Sequence, residues 1–264
     1  MSKKHSPKTT VIGIDIGGTG IKGGIVDLES GQVVGERFRI PTPTPSTPQN
    51  VAKVVKEIVD ELSGREHAPA KDAPVGITFP AIIAHGVSLS AANVDQSWIN
   101  ADVDHIFSRE LGRDVQVMND ADAAGLAEAR YGAGKDVKGT VLVITLGTGI
   151  GSAFIFNGKL IPNVELGHLE LDGHDAETKA SASARERDDI SWDEYAVRLQ
   201  RYFSHVEFLF SPELFIIGGG ISKRSEDYLP QLDLRTKIIP AELANNAGIV
   251  GGALQAAVHF KITK

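Results

Sequence analysis

The chain has 264 residues, and 42% of them are hydrophobic, which is enough for one large core or for two domains of ordinary size. Its formal net charge of −7 is spread along the chain and argues against nucleic acid as the main partner, because proteins that bind nucleic acid usually carry a basic face. The absence of cysteine excludes disulfides, thiolate zinc sites and cysteine nucleophiles.

The first ten residues are polar and basic, and they lack the apolar stretch of a signal peptide. No uninterrupted apolar run has the length that a bilayer-spanning helix needs. We therefore expect a cytoplasmic protein without a membrane partner.

The first predicted elements are two strands joined by a glycine turn. An apolar, β-branched run from Thr10 leads into Gly17-Gly18-Thr19-Gly20, and a second apolar segment follows. Backbone N–H groups in such a turn can converge on a phosphate oxygen, and glycine allows the close approach. Asp15 can hold a hydrated Mg²⁺, while Lys22 and the Thr19 hydroxyl can reach phosphate oxygens. An ordinary tight hairpin turn is the alternative.

A proline-rich stretch and a helix come next. Prolines recur through residues 41–48, which predicts a stiff extended connector, with a ligand for a partner domain as the alternative. From residue 51 to residue 62, valine, isoleucine and leucine recur at the spacing of an amphipathic helix, which Thr47-Pro48 starts.

An Asn-Asp pair lies where a strand changes to a helix. Residues 115–118 are predicted as a strand and residues 121–131 as a helix, with Asn119 and Asp120 between them. A carboxylate here can take the proton of an attacking hydroxyl. Helix capping explains the pair equally well, and we expect Asp122 in the first helical turn.

The strand–turn–strand pattern occurs a second time. A β-branched run from Thr140 enters Gly147-Thr148-Gly149-Ile150-Gly151 and leaves as an apolar segment. The dinucleotide-binding fingerprint fails here because Ser152 replaces its last glycine. Two matched turns, one flanked by an acid and a lysine, favour a phosphate-binding function over plain hairpins and predict two similar α/β lobes.

The stretch from Glu165 to Glu177 is dense in polar groups and includes His168, Asp172 and His174. Carboxylates and other polar side chains bind adjacent sugar hydroxyls, so the stretch is a candidate sugar site. A metal cluster is the alternative, although cysteine is absent and no second histidine lies at helical spacing.

The last predicted elements are a long helix from Trp192 to Phe210, a buried strand at 214–217 and a closing helix at 249–258. Gly218-Gly219-Gly220 ends the strand, at a position where open α/β sheets tend to bind ligands. We expect a small N-terminal lobe of residues 1–119 plus roughly 248–264 and a large C-terminal lobe of residues 120–247.

Together these motifs resemble the ROK family of sugar kinases, within the actin-like kinase superfamily, over nearly the whole chain. The segments that carry the resemblance are Gly13 to Lys22, Asn93 with Trp98, Asn119-Asp120-Ala121, Gly147 to Gly151, and Glu165-Leu166-Gly167-His168. The resemblance implies an α/β fold of two actin-like (ribonuclease H-like) lobes with a ligand cleft between them.

Residue roles follow from the same resemblance. It makes Asp120 the general base, and Asn93, Asn119, Asp120, Glu165, His168 and Glu177 the contacts to the sugar. The resemblance also implies that the donor phosphates are bound by the two glycine turns with Asp15 and Lys22, and by Gly218, Gly219 and Gly220. Mg²⁺ is the expected cofactor, bound by Asp15 through water.

One departure from the family pattern is informative. Family members usually carry a cysteine-rich zinc loop before a glutamate and a Ser-Ala-Ser-Ala run. Here Glu177 and the run from Ser181 are present without any cysteine, so we expect no zinc. The cysteine-free form is similar to the polyphosphate glucokinases and polyphosphate/ATP glucomannokinases, which implies polyphosphate and ATP as donors, glucose and also mannose as acceptors, and a homodimer.

A polymeric donor needs further cations, and the candidates are Lys135, Lys138, Lys159, Arg185 and Arg187, each of which can also be a solvated surface residue. An ATP-only hexokinase of the same family and a non-catalytic sugar-binding regulator are the alternative functions. Regulators of this family carry an added helix-turn-helix segment, for which residues 1–10 are too short.

Overall fold

The structure, a computed structural model, describes residues 9–91 and 94–263. The chain forms two compact units, one up to Ala123 and again from Asn246, the other from Ala124 to Asn245. These boundaries differ by four and two residues from those expected at 119/120 and 247/248. The first unit contains more residues than the second, whereas we expected the N-terminal lobe to be the smaller one.

The strands and helices before the first boundary, in chain order, are β1 (Thr10–Ile16), β2 (Ile21–Asp27), β3 (Gln32–Ile40), α1 (Pro48–Ser63), β4 (Val75–Phe79), β5 (Ile83–Ala84), β6 (Val87–Ser88), α2 (Val103–Leu111) and β7 (Val115–Asn119), followed by α3 (Asp120–Tyr131), within which the boundary falls.

The elements that follow are β8 (Thr140–Leu146), β9 (Ile150–Phe156), β10 (Lys159–Ile161), β11 (Glu170–Leu171), β12 (His174–Asp175), α4 (Glu177–Ala180), α5 (Ala182–Arg187), α6 (Trp192–Phe210), β13 (Leu214–Gly218), β14 (Lys237–Pro240) and α7 (Ala247–His259), of which α7 belongs to the first unit. Short 3₁₀ turns include Gln96–Trp98 and Leu166–His168.

The two units have the same sheet topology. In the first the strand order is β3-β2-β1-β4-β7, and in the second it is β10-β9-β8-β13-β14. In each, an antiparallel hairpin carries the glycine turn and the next two strands run parallel to its first strand. The α/β class and the pair of similar lobes predicted from the two glycine segments are confirmed.

The core of the first unit lies between its sheet and the helices α1 and α2. The apolar side of α1 is buried as predicted, with Val55, Ile58 and Leu62 fully inaccessible to solvent. On this side α1 packs close to β2, where a Cβ on Gly23 would lie 2.5 Å from Ile58. Burial of each such side chain contributes about 1.5–3 kcal/mol, which holds α1 against the sheet.

Helix α7 packs on β1 and β4 in the first unit. At Gly76 of β4 a Cβ would overlap the backbone of Gly252 in α7, so this close approach requires glycine. In the second unit α6 buries Tyr195, Leu199, Tyr202 and Phe203. Among the described residues no helix combines the length and apolarity needed to cross a bilayer.

Candidate active site

The first glycine turn is held by contacts from β3 and from the proline-rich connector. The Gly17 N–H donates to the Gly20 carbonyl at 3.1 Å, which closes the turn. The Thr42 hydroxyl donates to the Gly17 carbonyl at 2.5 Å, and Arg39 Nη2 donates to the Thr19 carbonyl at 2.9 Å. Thr19 itself is exposed at the tip. The turn is therefore fixed through its carbonyl groups.

Asp15 is placed beside this turn by two side chains. Lys22 Nζ lies 2.9 Å from Asp15 Oδ2, and the Thr78 hydroxyl donates to Asp15 Oδ1 at 3.0 Å. Sequence reasoning missed Thr78, which is fully buried in β4 and is the register partner of Asp15. A threonine in a buried, apolar strand was the only signal that could have found it.

Asp15 could hold Mg²⁺ only as a single protein ligand, together with water and the substrate phosphates. The described residues contain no group of three or more His, Asp or Glu side chains suited to a metal ion. Mg²⁺ in kinase sites is usually held by one or two carboxylates, several waters and the substrate phosphates. Asp15, a single carboxylate next to a turn predicted to bind phosphate, fits that pattern.

At the start of α3, Asn119 is the helix cap. Its Oδ1 accepts from the N–H groups of Ala121 and Asp122 at 2.8 and 3.0 Å, and its Nδ2 donates to the Ala81 carbonyl at 3.1 Å. One Nδ2 hydrogen remains for a further acceptor, since an amide nitrogen carries two. Capping, which the sequence left as an equal alternative to catalysis, is thus a role of Asn119.

Asp120 is the first residue of α3 and is partly exposed. Asn119 caps the helix through two N–H groups, and Asp120 shares one of them. Its Oδ1 accepts from the adjacent Ala121 N–H at 2.9 Å. Asp122 lies in the first helical turn, as expected, and is buried.

The Asn93–Trp98 motif is described only in part, because Asn93 lies outside the described residues. Trp98 is fully buried, with its ring centroid 4.4 Å from that of Phe79. Its Nε1 donates to the Ser46 carbonyl at 2.7 Å. Trp98 therefore anchors the proline-rich connector to the core of the first unit.

In the second unit the glycine turn is braced by residues far along the chain. The Ser183 N–H donates to the Gly147 carbonyl at 3.1 Å, and the Ser183 hydroxyl donates to the Thr148 carbonyl at 2.5 Å. Glu177 Oε2 accepts from the Ile150 N–H at 3.0 Å. The Ser-Ala-Ser-Ala run and the glutamate thus both contact the second turn.

The third glycine cluster also lies against the second turn. Gly219 has a φ of +83°, and a Cβ on it would overlap the carbonyl oxygen of Leu146, the residue before the turn. Only glycine meets both conditions. The structure therefore packs Gly219 against Leu146, the residue before the second turn.

The sugar-site candidates of the second unit lie around the same turn. A Cβ on Gly167 would overlap the Ile150 carbonyl oxygen and lie 3.0 Å from Glu177 Oε2, so Glu165 and His168 flank this contact. His168 Nδ1 is 3.2 Å from Asp175 Oδ2. Burial raises the pKa of Glu165, with smaller opposing effects from His168, which lowers it, and Glu177, which raises it.

Other polar groups of this stretch form internal pairs. Arg201 Nη2 binds Asp172 at 2.7 Å, and the Arg187 Nε donates to Asp188 at 2.9 Å. The Arg185 guanidinium stacks over the Trp192 ring at 3.8 Å. Arg185 and Arg187, two of the cations considered for a polymeric donor, are thus engaged within their own unit.

Known proteins similar to this chain agree with the motifs. The family model described as ROK family matches residues 11–184. Polyphosphate glucokinase of Mycobacterium tuberculosis is 49% identical over 243 residues, which cover 92% of this chain and 89% of that protein.

Solved structures give the same result for the fold. The crystal structure of inorganic polyphosphate/ATP-glucomannokinase from Arthrobacter sp. strain KM has a TM-score of 0.91 and 72% identity, covering 95% of this chain and 99% of that one. A ROK family glucokinase from Streptomyces griseus in complex with glucose and AMPPNP has a TM-score of 0.77 and 26% identity, covering 92% and 98%. These matches confirm the predicted actin-like α/β fold. With a family match over more than half of its length and relatives this similar, the chain belongs to the ROK family.

Proposed function

We propose that this protein is a polyphosphate-dependent glucokinase that also accepts ATP and transfers the terminal phosphoryl group to the 6-hydroxyl of glucose. The observation that carries the proposal is the 72% identity to the polyphosphate/ATP-glucomannokinase, over 95% of the chain. The 49% identity to a polyphosphate glucokinase supports the same donor and acceptor. The two similar glycine turns and the position of the Asn-Asp pair at the start of α3 also support the proposal.

On the acceptor side, Asp120 acts as the general base. It takes the proton of the 6-hydroxyl as that oxygen attacks the terminal phosphorus. The spare Nδ2 hydrogen of Asn119 donates to a sugar hydroxyl, and the carboxylates of Glu165 and Glu177 accept from others. His168, oriented by Asp175, and Asn93, outside the described residues, complete the set of sugar contacts.

On the donor side, the two glycine turns direct backbone N–H groups at the phosphates, and Lys22 adds a positive charge. Ser183, Glu177 and Gly219 keep the second turn in one geometry, so little reorganisation is needed during the reaction. Mg²⁺ near Asp15 would neutralise charge on the phosphate oxygens.

Mannose as a second acceptor rests on the similarity to the glucomannokinase, whose name includes mannose as a substrate. A homodimer and a cytoplasmic location belong to the same proposal and rest on the family resemblance.

An assay with purified protein tests the function. Glucose, mannose and fructose are each combined with long-chain polyphosphate or with ATP, and the sugar phosphate is measured. We expect product from glucose with both donors. Product with ATP alone indicates the ATP-only hexokinase instead, and glucose binding without product from any pair indicates the sugar-binding regulator.

A further inference from the structure

A pocket of about 480 Å³ opens on the first unit beside β2 and β3, and cations dominate the charges of its lining. Lys22, Arg37 and Arg39 line it, with Glu36 as the one carboxylate. Asn246, the residue before α7, also lines it. The N-terminus of a helix adds partial positive charge.

The pocket lies next to the first glycine turn in the sheet, because two of its lining residues, Lys22 and Arg39, are in register with Asp15. Asp15, Lys22 and Arg39 are successive register partners across β1, β2 and β3. Neighbouring strands lie about 4.8 Å apart, so the backbone of Arg39 is about 10 Å from that of Asp15. The row leads outward from the turn to the pocket.

Arg39 joins the turn to the pocket. Its Nη2 donates to the Thr19 carbonyl at 2.9 Å, and a Cβ on Gly20 would overlap the guanidinium. A guanidinium has five N–H donors, and one hydrogen bond leaves others for phosphate oxygens. Arg37 lies two residues earlier on the same strand and is exposed.

The net charge of the pocket lining is positive, whereas the net charge of the whole chain is negative. The formal net charge is −7, yet three cations and one carboxylate line this pocket. A local concentration of one charge sign at a concave surface attracts ligands of the other sign. The ligand class is therefore an anion longer than the group held at the turn itself.

We propose that this pocket binds the distal phosphates of inorganic polyphosphate, the part of the donor that follows the transferred phosphoryl group. The proposal rests on the proposed function and adds a binding site for the polymer. Polyphosphate carries negative charge along its whole length. In ATP the phosphates end at an adenosine, so the pocket distinguishes the two donors.

The decisive variant is Arg37→Gln. We expect the KM for long-chain polyphosphate to rise about tenfold, the effect of losing one charge-assisted hydrogen bond. The KM for ATP and for tripolyphosphate stays near the wild-type value. The slope of log binding constant against log salt for long-chain polyphosphate, measured by calorimetry without glucose, falls by about one.

Two further variants separate charge from structure. Arg37→Lys keeps the charge and recovers most of the affinity for long-chain polyphosphate. Lys53→Gln removes an exposed charge on α1 and leaves the KM for both donors unchanged. Arg39→Gln weakens both donors, because it also releases the Thr19 carbonyl. An equal rise in KM for ATP and long-chain polyphosphate in Arg37→Gln, or no rise for either, overturns the proposal.

The calorimetric titration separates this proposal from the proposed function. Wild-type protein that yields no glucose phosphate from polyphosphate contradicts the function, whereas polyphosphate binding that Arg37→Gln weakens still supports the pocket. Absence of polyphosphate binding by the wild-type protein overturns the pocket proposal.

Discussion

The carboxylate of Glu177 accepts a hydrogen bond from the Ile150 N–H, with 3.0 Å between Oε2 and N. Glu177 is proposed to bind the sugar, and Ile150 belongs to the second glycine turn, which is proposed to bind the donor. One side chain therefore contacts the proposed donor turn directly and has a second carboxylate oxygen for the proposed acceptor. We therefore expect a change at Glu177 to alter the KM values of both the sugar and the phosphate donor.

Replacing Glu177 tests that coupling. We expect Glu177→Ala to raise the KM for glucose and for the donor, each by about 10- to 100-fold, since a hydrogen bond to a charged group contributes about 1.5–3 kcal/mol. Steady-state kinetics with each substrate varied in turn gives both values. Glu186→Gln, an exposed glutamate on α5, is the control and leaves both unchanged. A change in the glucose KM alone would show that Glu177 does not support the turn.

Asp120→Asn tests the general base. We expect kcat to fall by about 10²- to 10⁴-fold, because the variant has no carboxylate to accept the proton. The dissociation constant for glucose, measured by calorimetry, changes little, and the thermal unfolding temperature stays close to that of the wild type because Asn119 keeps the cap. Near-normal turnover by folded Asp120→Asn would rule out this role.

Gly219 and Gly173 share a positive φ, but only Gly219 packs against the residue before the second turn, and its ψ is 175°. Both have a φ of +83°, but a Cβ on Gly219 would overlap the Leu146 carbonyl oxygen, whereas a Cβ on Gly173 meets nothing within 4 Å. Gly173→Ala measures backbone strain alone, about 1–2 kcal/mol in the free energy of unfolding. Gly219→Ala loses about 1–3 kcal/mol more, because the Cβ overlaps the Leu146 carbonyl oxygen and a ψ of 175° at this φ strains any residue with a Cβ, and it raises the donor KM. Equal losses of stability from chemical denaturation would contradict the close contact.

Glu165 gives the pH prediction. Burial raises its pKa in the folded protein above the ordinary value of 4.5, so the folded state favours the protonated carboxyl. The resulting stability is present below the ordinary pKa and is lost as pH rises through the raised one. As pH rises from below 4.5 through the raised pKa, we therefore expect Glu165→Gln to gain stability relative to the wild type.

Denaturation curves across this range measure the difference, with the exposed Glu170→Gln as the control. The affinity of the wild type for glucose is expected to increase as pH rises through the raised pKa of Glu165. The ionised carboxylate that forms above this pKa is the better acceptor for a sugar hydroxyl. A constant stability difference between Glu165→Gln and the wild type would show that the carboxyl is not perturbed.

Much of the fold was predictable because its signals are local. The helices α1, α6 and α7 follow apolar periodicity, and both hairpins follow β-branched runs that enter glycine turns. No local signal marks the boundary between the two units, because α3 continues through it without a break in pattern.

In the candidate site, too, the local sequence indicated the residues but not all of their roles. Asn119 and Asp120 were found from their position, but the sequence alone did not decide between capping and catalysis. Asn119 takes the cap through Ala121 and Asp122. Arg37 and Arg39 carried a signal that was not used, since residues at i and i+2 of a strand share a face.

The sequence by itself determined which residues form the turns and which carry the acid, amide and carboxylate groups, because those follow from residue type and spacing. Only the tertiary structure decided what holds them: Thr78 on Asp15, 63 residues apart, and Ser183 on Thr148, 35 residues apart. Such pairs depend on strand order and register, which bring distant residues together and leave no local pattern in the chain.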